Sequence, residues 1–565
     1  MRFITDKISI FSQKSARPVY AEISNYDLLL ACLLFFVSLS FNITGLTWAL
    51  PSETRREFYP QRLEWYEVPK SEGRLYQISP YEPYHPDESF LLDALSNMDP
   101  ANLDFNPHFF NYPTLSIYIT GAVLKIGELC GYLNIVNSKE FYITHPEQMA
   151  RIYLLGRLLA ALMSALTVVF IYLTAKLLFE WQTGLFSAFT LASMPLWVRN
   201  SHFMLVNVPS AMWMSGAALL AVIAFKRVSQ PLLLLSAFFA GLAASTKYPS
   251  GLIILLPLFV WWHISYTNRD KRITAGITQE SHRKVVSPGT WYLGFALVGV
   301  SIIGFIGGTP YLLISPDEFL QGLLFEGGTK LGLPSFINLL SLLIVSSGTV
   351  LCLLIMIGLS IAIAKWRMWP YQFVLLWVMA SMVQRLISST DLARYFVPAL
   401  PALAICAGIA INTIRQYITE LKIAHSTLIG WAVGLLLLIP TVGYSIDILQ
   451  VMQNGDIRTQ AASWLTQHLD TNQIIGIYDK ITYDLLPINA EKYDLQIMNE
   501  LEEEDSLPPV VIFTSETVKY WPIDIPTSYT SQTFTQRPSS IWTWPVKEWP
   551  HDWAYTFLDI HILFK

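Results

Sequence analysis

The run Tyr84-His85-Pro86-Asp87-Glu88, just ahead of the apolar stretch Leu91–Leu95, sets two adjacent carboxylates directly after a proline. Proline suits the first helical position, so Asp87 and Glu88 are expected in the opening turn of a helix. There the dipole and the free backbone N–H groups favour their ionised forms. A carboxylate held this way can take a proton from a hydroxyl, the general-base step of group transfer to an alcohol, glycosyl transfer included. The same pattern opens ordinary helices, so its meaning depends on its surroundings. Those include Arg151, Arg157, Arg199, Lys247, Lys330, Arg385 and Arg394, each at or near the end of an apolar run. A charge at membrane depth is costly. Singly, each cation reads as a snorkelling or internally paired side chain. As a set they suit an anionic headgroup at the membrane surface, such as a lipid-linked phosphate. Lys247-Tyr248 and Arg394-Tyr395 each put a cation beside an aromatic ring, the second just after the polar turn Ser388-Ser389-Thr390-Asp391.

The elements that must position these residues are membrane helices. Of the 565 residues 53% are apolar and only 14% charged, and the mean hydropathy is +0.41. A soluble protein of this size needs more charge to cover its surface. The net charge of −5 includes no basic block suited to nucleic acid. Apolar runs predict about eleven crossings: Leu28–Leu50, Arg151–Leu178, Gly184–Val198, Val208–Phe225, Pro231–Thr246, Pro249–His263, Trp291–Ile314, Phe336–Ala364, Tyr371–Ser388, Tyr395–Ile414 and Leu428–Ile448. The first is too long for a signal-peptide core and reads as a retained anchor.

Charge placement sets the expected orientation. Arg2, Lys7, Lys14 and Arg17 precede the first span and place residues 1–27 in the cytoplasm by the positive-inside bias. Eleven crossings then put Lys226 with Arg227, the Arg269–Lys284 loop, Lys365 with Arg367, and Arg415 with Lys422 inside as well. An additional crossing at Pro113–Leu133 would turn those later clusters outward, so that segment is expected to be an interfacial or re-entrant helix. It follows that the first outer loop, 51–150, and the tail, 449–565, are extracytoplasmic. Residues 28–448 form the membrane domain between them.

The tail reads as a small α/β domain, with helices at Asp456–Leu469 and Ser515–Tyr520 and short strands at Ile474–Tyr478 and Val510–Phe513. The tryptophan- and proline-rich Trp542–Trp553 suits an aromatic rim at the bilayer interface or a glycan-stacking surface. Cys32, Cys130, Cys352 and Cys406 lie in apolar stretches without metal-ligand spacing and read as buried small hydrophobes.

The ordered set of motifs resembles a known family, the membrane glycosyltransferases of the C-type fold. The similarity is to the protein-mannosyltransferase/aminoarabinose-transferase-like group that uses polyprenyl-phosphate sugars. It rests on His85-Pro86-Asp87-Glu88, Phe110-Asn111-Tyr112-Pro113, Gly156-Arg157-Leu158-Leu159 and Ser201-His202-Phe203. It continues through Gly241-Leu242-Ala243 before Lys247-Tyr248, Arg394-Tyr395 with Pro398 and Pro401, and Asp456-Ile457-Arg458 with Ala461-Ala462-Ser463-Trp464.

The resemblance implies an inverting transfer of a sugar from a polyprenyl-phosphate carrier to an acceptor hydroxyl. Asp87 would be the base, supported by Glu88, while Arg157, Lys247 and Arg394 would hold the donor phosphate, which is also the leaving group. His85, His202, Asn207, Tyr248 and Tyr395 would position substrate. Asn207 stands where relatives often carry aspartate; it can hydrogen-bond but cannot act as a base. The implied partners are the lipid-linked donor, membrane lipids, and a glycan, lipid or protein acceptor. No cofactor is required, although His85 and His202 near the carboxylates raise a divalent metal as a weaker reading. Two other classes remain open: a transporter or flippase of a lipid-linked anion, which would favour charges near mid-bilayer, and an inactive homologue of the fold. The only glycan-acceptor tripeptide, Asn42-Ile43-Thr44, falls within the first span, and no retention signal is evident. Both favour a bacterial inner membrane.

Overall fold

The computed structural model describes residues 23–59, 80–274, 288–328, 332–388, 390–421, 423–478, 486–498, 507–520 and 527–565. Seven helices among them are long and apolar enough to cross a membrane: Asn25–Ile43, Pro146–Leu178, Asn207–Arg227, Tyr248–Ser265, Trp291–Gly308, Ala393–Glu420 and Ser426–His468. A bent pair, Phe336–Ser347 with Thr349–Ala364, raises the number to eight. Trp181–Ala192, Gln230–Ala244 and Trp369–Leu386 fill the other three of the eleven expected positions. Gln230–Ala244 has 15 residues, only ~22 Å of helix, so its crossing needs local thinning or help from its neighbours. The chain is an α-helical polytopic membrane protein with a small C-terminal sheet domain.

Local sequence explains the ends and the close approaches. Ser24 caps the first helix with a reciprocal box: its side chain accepts from Asp27 N and its own N–H donates to Asp27 Oδ2 at 2.7 Å. Asp27 also accepts from Tyr172 Oη at 2.8 Å and pairs with Lys176, pinning this helix to Pro146–Leu178. Where helices cross tightly, glycine faces backbone. A Cβ on Gly358 would come within 1.8 Å of the Cys406 carbonyl oxygen, and one on Gly241 within 2.1 Å of that of Ser301.

Three expectations are corrected. Phe336–Ala364 is not one straight crossing, because its two helices bend by 116° around Gly348. Gly348 has φ +81°, a left-handed conformation open to glycine. The span expected at Gly184–Val198 stops at Ala192, and a separate short helix, Pro195–Asn200, begins at the proline. Cys32 and Cys130 are exposed, while Cys352 and Cys406 are buried as expected.

The helices share two ends. At one, Leu115 N donates to Ser245 O at 3.0 Å and Thr114 Oγ1 to Gly308 O at 2.8 Å, which seats the Leu115–Leu129 helix on the ends of two spans. This helix, expected to be interfacial, is not among the candidate crossings. His202 joins Thr44 O to the same end, and Ser445 Oγ donates to Ser193 O at 2.7 Å. Asp27–Lys176 and the contact of Asn412 with Glu180 and Thr183 mark the opposite end.

The tail sheet has five strands: β1 Ile474–Tyr478, β2 Asp494–Met498, β3 Val510–Thr514, β4 Thr530–Thr535 and β5 Asp559–Phe564. Their order is β2-β1-β3-β5-β4. β1 runs parallel to β2 and β3, and β5 is antiparallel to β3 and β4, with Ile477 opposite Ile512 and Ile512 opposite Ile562. The Ile457–His468 helix, capped by Asp456, lays Ile457, Ala461 and Leu465 over this isoleucine-rich face. Between β4 and β5 the chain leaves the sheet and returns to the membrane domain. There Trp553 and Phe557 enter the main core, and Trp542 Nε1 donates to Asp447 at 2.6 Å. The tryptophan-rich segment is therefore a docking strap, although Trp544 stays exposed.

Candidate functional site

Pro86 opens the Pro86–Ser96 helix, and Asp87 and Glu88 occupy its first turn. The two carboxylates diverge. Glu88 turns into the protein and takes a two-point pair from Arg157, Nε to Oε1 at 2.9 Å and Nη2 to Oε2 at 2.7 Å. Oε1 also accepts Met204 N at 2.9 Å. Arg157 Nη1 donates to Leu46 O at 3.1 Å and Trp48 O at 2.7 Å. Gly156 lets this layer close, because a Cβ there would lie 2.1 Å from Met204 Sδ. Arg157 is thus engaged on every side-chain nitrogen, tying the loop after the first helix, the Pro146–Leu178 helix and the 201–206 loop together.

Asp87 instead faces Arg394, with Oδ2 and Nη2 3.3 Å apart and both side chains about one-tenth exposed. Arg394 lies in the short 3₁₀ turn Ala393–Ala399, and its Nη1 is buried with no hydrogen-bond partner among the described residues. The pair combines a carboxylate that can take a proton with a guanidinium that has a terminal donor to offer.

Lys247 and Asn207 form the neighbouring element. Lys247 Nζ donates to Asn207 Oδ1 at 2.5 Å and lies 5.1 Å from the Tyr395 ring centroid. Both Lys247 and Asn207 are buried. The amide oxygen thus accepts a hydrogen bond from the ammonium. Tyr248 Oη donates to Phe110 O at 2.8 Å, fixing the loop ahead of Pro113. His202 lies between two backbone carbonyls, Nδ1 with Val198 O at 2.7 Å and Nε2 with Thr44 O at 2.8 Å.

His85 is buried between Phe203 and Tyr555, with ring centroids 4.8 and 5.2 Å away. Neither ring nitrogen has a hydrogen-bond partner among the described residues. Burial first, and then the cations Arg199, Arg394 and Arg157, hold its pKa well below 6.5, so the ring is neutral. Among the described residues no three or more His, Cys, Asp or Glu side chains are grouped to hold a metal ion.

The other cations scatter. Arg385 wraps the 388–392 turn, donating to Ser388 O at 2.9 Å and Thr390 O at 2.6 Å. Arg151 donates to Tyr132 O at 2.9 Å at an exposed position. Lys330 lies outside the described residues. The structure adds residues the sequence reading did not single out. Asp552, from the tail strap, accepts Ala393 N and Arg394 N at 3.0 and 2.9 Å. Tyr84 is sandwiched between Arg55 and Arg458, 4.1 and 4.0 Å from its ring centroid. The one signal for Asp552 was an acid inside an aromatic run. Leu91, Ile119, Gly156, Met163, Met204 and Pro209 help line a small, mostly apolar pocket of about 10 Å³, room for a single water.

Residues 154–277 match the model of a family described as dolichyl-phosphate-mannose-protein mannosyltransferase. No curated protein matches. Among solved structures, the apo oligosaccharyltransferase of Archaeoglobus fulgidus is similar at 12% identity and a TM-score of 0.46, covering 85% of this chain and 65% of that one. ArnT from Cupriavidus metallidurans, bound to undecaprenyl phosphate, gives 14% and 0.41, covering 95% and 97%. The S. cerevisiae Pmt1-Pmt2 complex, bound to its sugar donor, gives 17% and 0.34, covering 58% and 38%. The chain spans less than two-thirds of the archaeal enzyme's length. The matched family segment contains Gly156-Arg157, Ser201-His202-Phe203 and Lys247-Tyr248. The resemblance to polyprenyl-phosphate-dependent membrane glycosyltransferases read from those motifs thus has a counterpart in the family model.

Proposed function

We propose that this chain is an inverting glycosyltransferase that moves a sugar from a polyprenyl-phosphate carrier to an acceptor hydroxyl. The observation that carries the reading is the Asp87–Arg394 pair, 3.3 Å apart, with Arg394 Nη1 left unsatisfied among the described residues. A donor phosphate offers Arg394 a pair of oxygens that the planar guanidinium fork matches. As the phosphate engages Arg394, Asp87 is released toward the acceptor. The acceptor oxygen attacks the anomeric carbon from the face opposite the phosphate, its proton passes to Asp87, and the C–O bond to phosphate breaks with inversion. The carrier phosphate leaves with one more negative charge, which Arg394 and Lys247 offset. Glu88 and Arg157 act one layer back, holding the helix that presents Asp87.

The orientation follows from charge. Lys226 with Arg227 and Lys365 with Arg367 lie at helix ends and Arg415 in the last two turns of Leu400–Glu420, and the positive-inside bias supports an orientation with these cations inside and the site and tail outside the cytoplasm. The test is transfer of label from a radiolabelled polyprenyl-phosphate hexose or pentose by purified protein. Asp87→Asn keeps the size but not the base, and turnover should fall by about two orders of magnitude or more. Near-normal turnover in that variant would remove Asp87 as the base.

A further inference from the structure

The strap between β4 and β5 reaches the backbone of the residue assigned to the donor phosphate. Asp552 is fully buried, and its carboxylate spans two successive amides, Oδ1 to Ala393 N at 3.0 Å and Oδ2 to Arg394 N at 2.9 Å. The strap is itself held on both sides. Arg199 donates to the Asp552 carbonyl oxygen and to Thr556 Oγ1, the latter at 3.2 Å. Arg458, paired with Asp456 at the start of the tail, donates to Tyr555 O at 2.9 Å. Trp553 and Phe557 already supply apolar docking, so a fully desolvated carboxylate is an expensive way to add adhesion alone.

We propose that Asp552 is a positioning residue for donor binding: by clamping the amides of Ala393 and Arg394 it fixes where the Arg394 guanidinium emerges, making the C-terminal domain part of the donor site. This rests on the reading of Arg394 as the phosphate partner. Charge alone predicts the opposite outcome from position. Arg157, Arg199 and Arg394 are matched by Asp87, Glu88 and Asp552, so neutralising Asp552 leaves the cluster one unit more positive and would tighten binding of an anion. Loss of the clamp weakens it.

The purified full chain is titrated with a polyprenyl phosphate, and binding is measured for the wild type, Asp552→Asn, Arg394→Ala and the double variant. The wild type should bind saturably. Asp552→Asn should weaken binding about tenfold, the loss of one charge-assisted hydrogen bond. In the Arg394→Ala background the same change should have almost no further effect, because the clamp acts only through Arg394. Equal or tighter binding by Asp552→Asn overturns the inference, and so does a tenfold loss that persists without Arg394. If Asp552→Asn does not fold, Asp552→Glu keeps the charge but moves the oxygens by one methylene, and serves in the same cycle with the same expectations. A wild type that does not bind polyprenyl phosphate overturns the donor reading itself, and this inference with it.

Discussion

Arg157 and Glu88 meet in a sealed two-point pair, at 2.9 and 2.7 Å, with side chains 1% and 0% exposed. With its Nη1 on two backbone carbonyls, Arg157 is a hub for the loops around the site rather than a side chain waiting for ligand. Removing one member of a buried pair strands the other, at a cost of about 3–5 kcal/mol. Arg157→Ala and Glu88→Gln should therefore lower unfolding stability in detergent sharply, while the fraction that folds still binds polyprenyl phosphate. A folded Arg157→Ala protein that loses carrier binding as completely as Arg394→Ala would return Arg157 to the phosphate.

Arg394 should behave differently. Arg394→Ala should cost about 2–5 kcal/mol of donor affinity, and Arg394→Lys an intermediate amount, because an ammonium cannot reproduce the fork. Asp87→Asn should leave carrier affinity equal or higher, since it removes the carboxylate that competes for Arg394. An alternative reading of the polar turn pairs Arg394 with Asp391. The structure gives Asp87 as an ion-pair partner, so Asp391→Asn should bind the carrier normally. Titration of the purified variants decides between them. Loss of carrier binding in Asp391→Asn, with none in Arg394→Lys, would contradict the assignment.

Much of this was legible in the sequence because the bilayer simplifies the reading. An apolar run must be a helix there, and Pro86 before two acids marked a helix start that the structure contains. The bend at Gly348 was not legible, because both flanking segments are equally apolar and only φ separates a span from a bent pair. The sequence also gave no way to tell which carboxylate meets which arginine. Asp87 and Glu88 are adjacent, but consecutive helical residues point about 100° apart, and one faces Arg394 while the other faces Arg157. Asp552 was hidden for another reason. Its partners are backbone amides about 160 positions away, and amides have no residue type to recognise. Strands β2, β4 and β5 escaped as well; β4, Thr530–Thr535, is largely polar and exposed, so it lacks a hydrophobic pattern.

His85 links the site to pH. Burial, together with Arg199, Arg394 and Arg157, keeps its folded pKa well below 6.5, whereas the unfolded chain binds a proton near that value. Below pH 6.5 the unfolded state therefore holds the extra proton, and stability is lost as pH falls, by up to about 1.4 kcal/mol per unit until the folded ring titrates. His202 and His561 are shifted in the same direction and add to the slope. Unfolding midpoints measured from pH 7 to pH 5 should decline in the wild type and less steeply in His85→Gln. Equal slopes would mean that His85 is protonated in the folded protein.

The orientation can be tested with a native side chain. Cys130 is exposed and follows the Leu115–Leu129 helix, whose start is bonded to Gly308 and Ser245 at the same end as Asp87. If that end faces away from the cytoplasm, a membrane-impermeant maleimide should label Cys130 in intact cells. Cys32 is also exposed, but it lies within the first span, where lipid shields it from a water-soluble reagent. In a Cys130→Ser background, Ser539→Cys, at an exposed position of the strap, should also react in intact cells. Ser281→Cys, which lies outside the described residues, should react only after permeabilisation, because the basic Arg269–Lys284 loop belongs inside by the positive-inside bias. On the eleven expected crossings, an odd number separates Ser281 from each of the other two, so the three positions should shift together. Labelling at Ser281 with protection at Cys130 and Ser539 would invert the protein and move the carboxylate–arginine pair to the cytoplasmic face. A lipid-linked sugar would then have to be used before it is flipped outward.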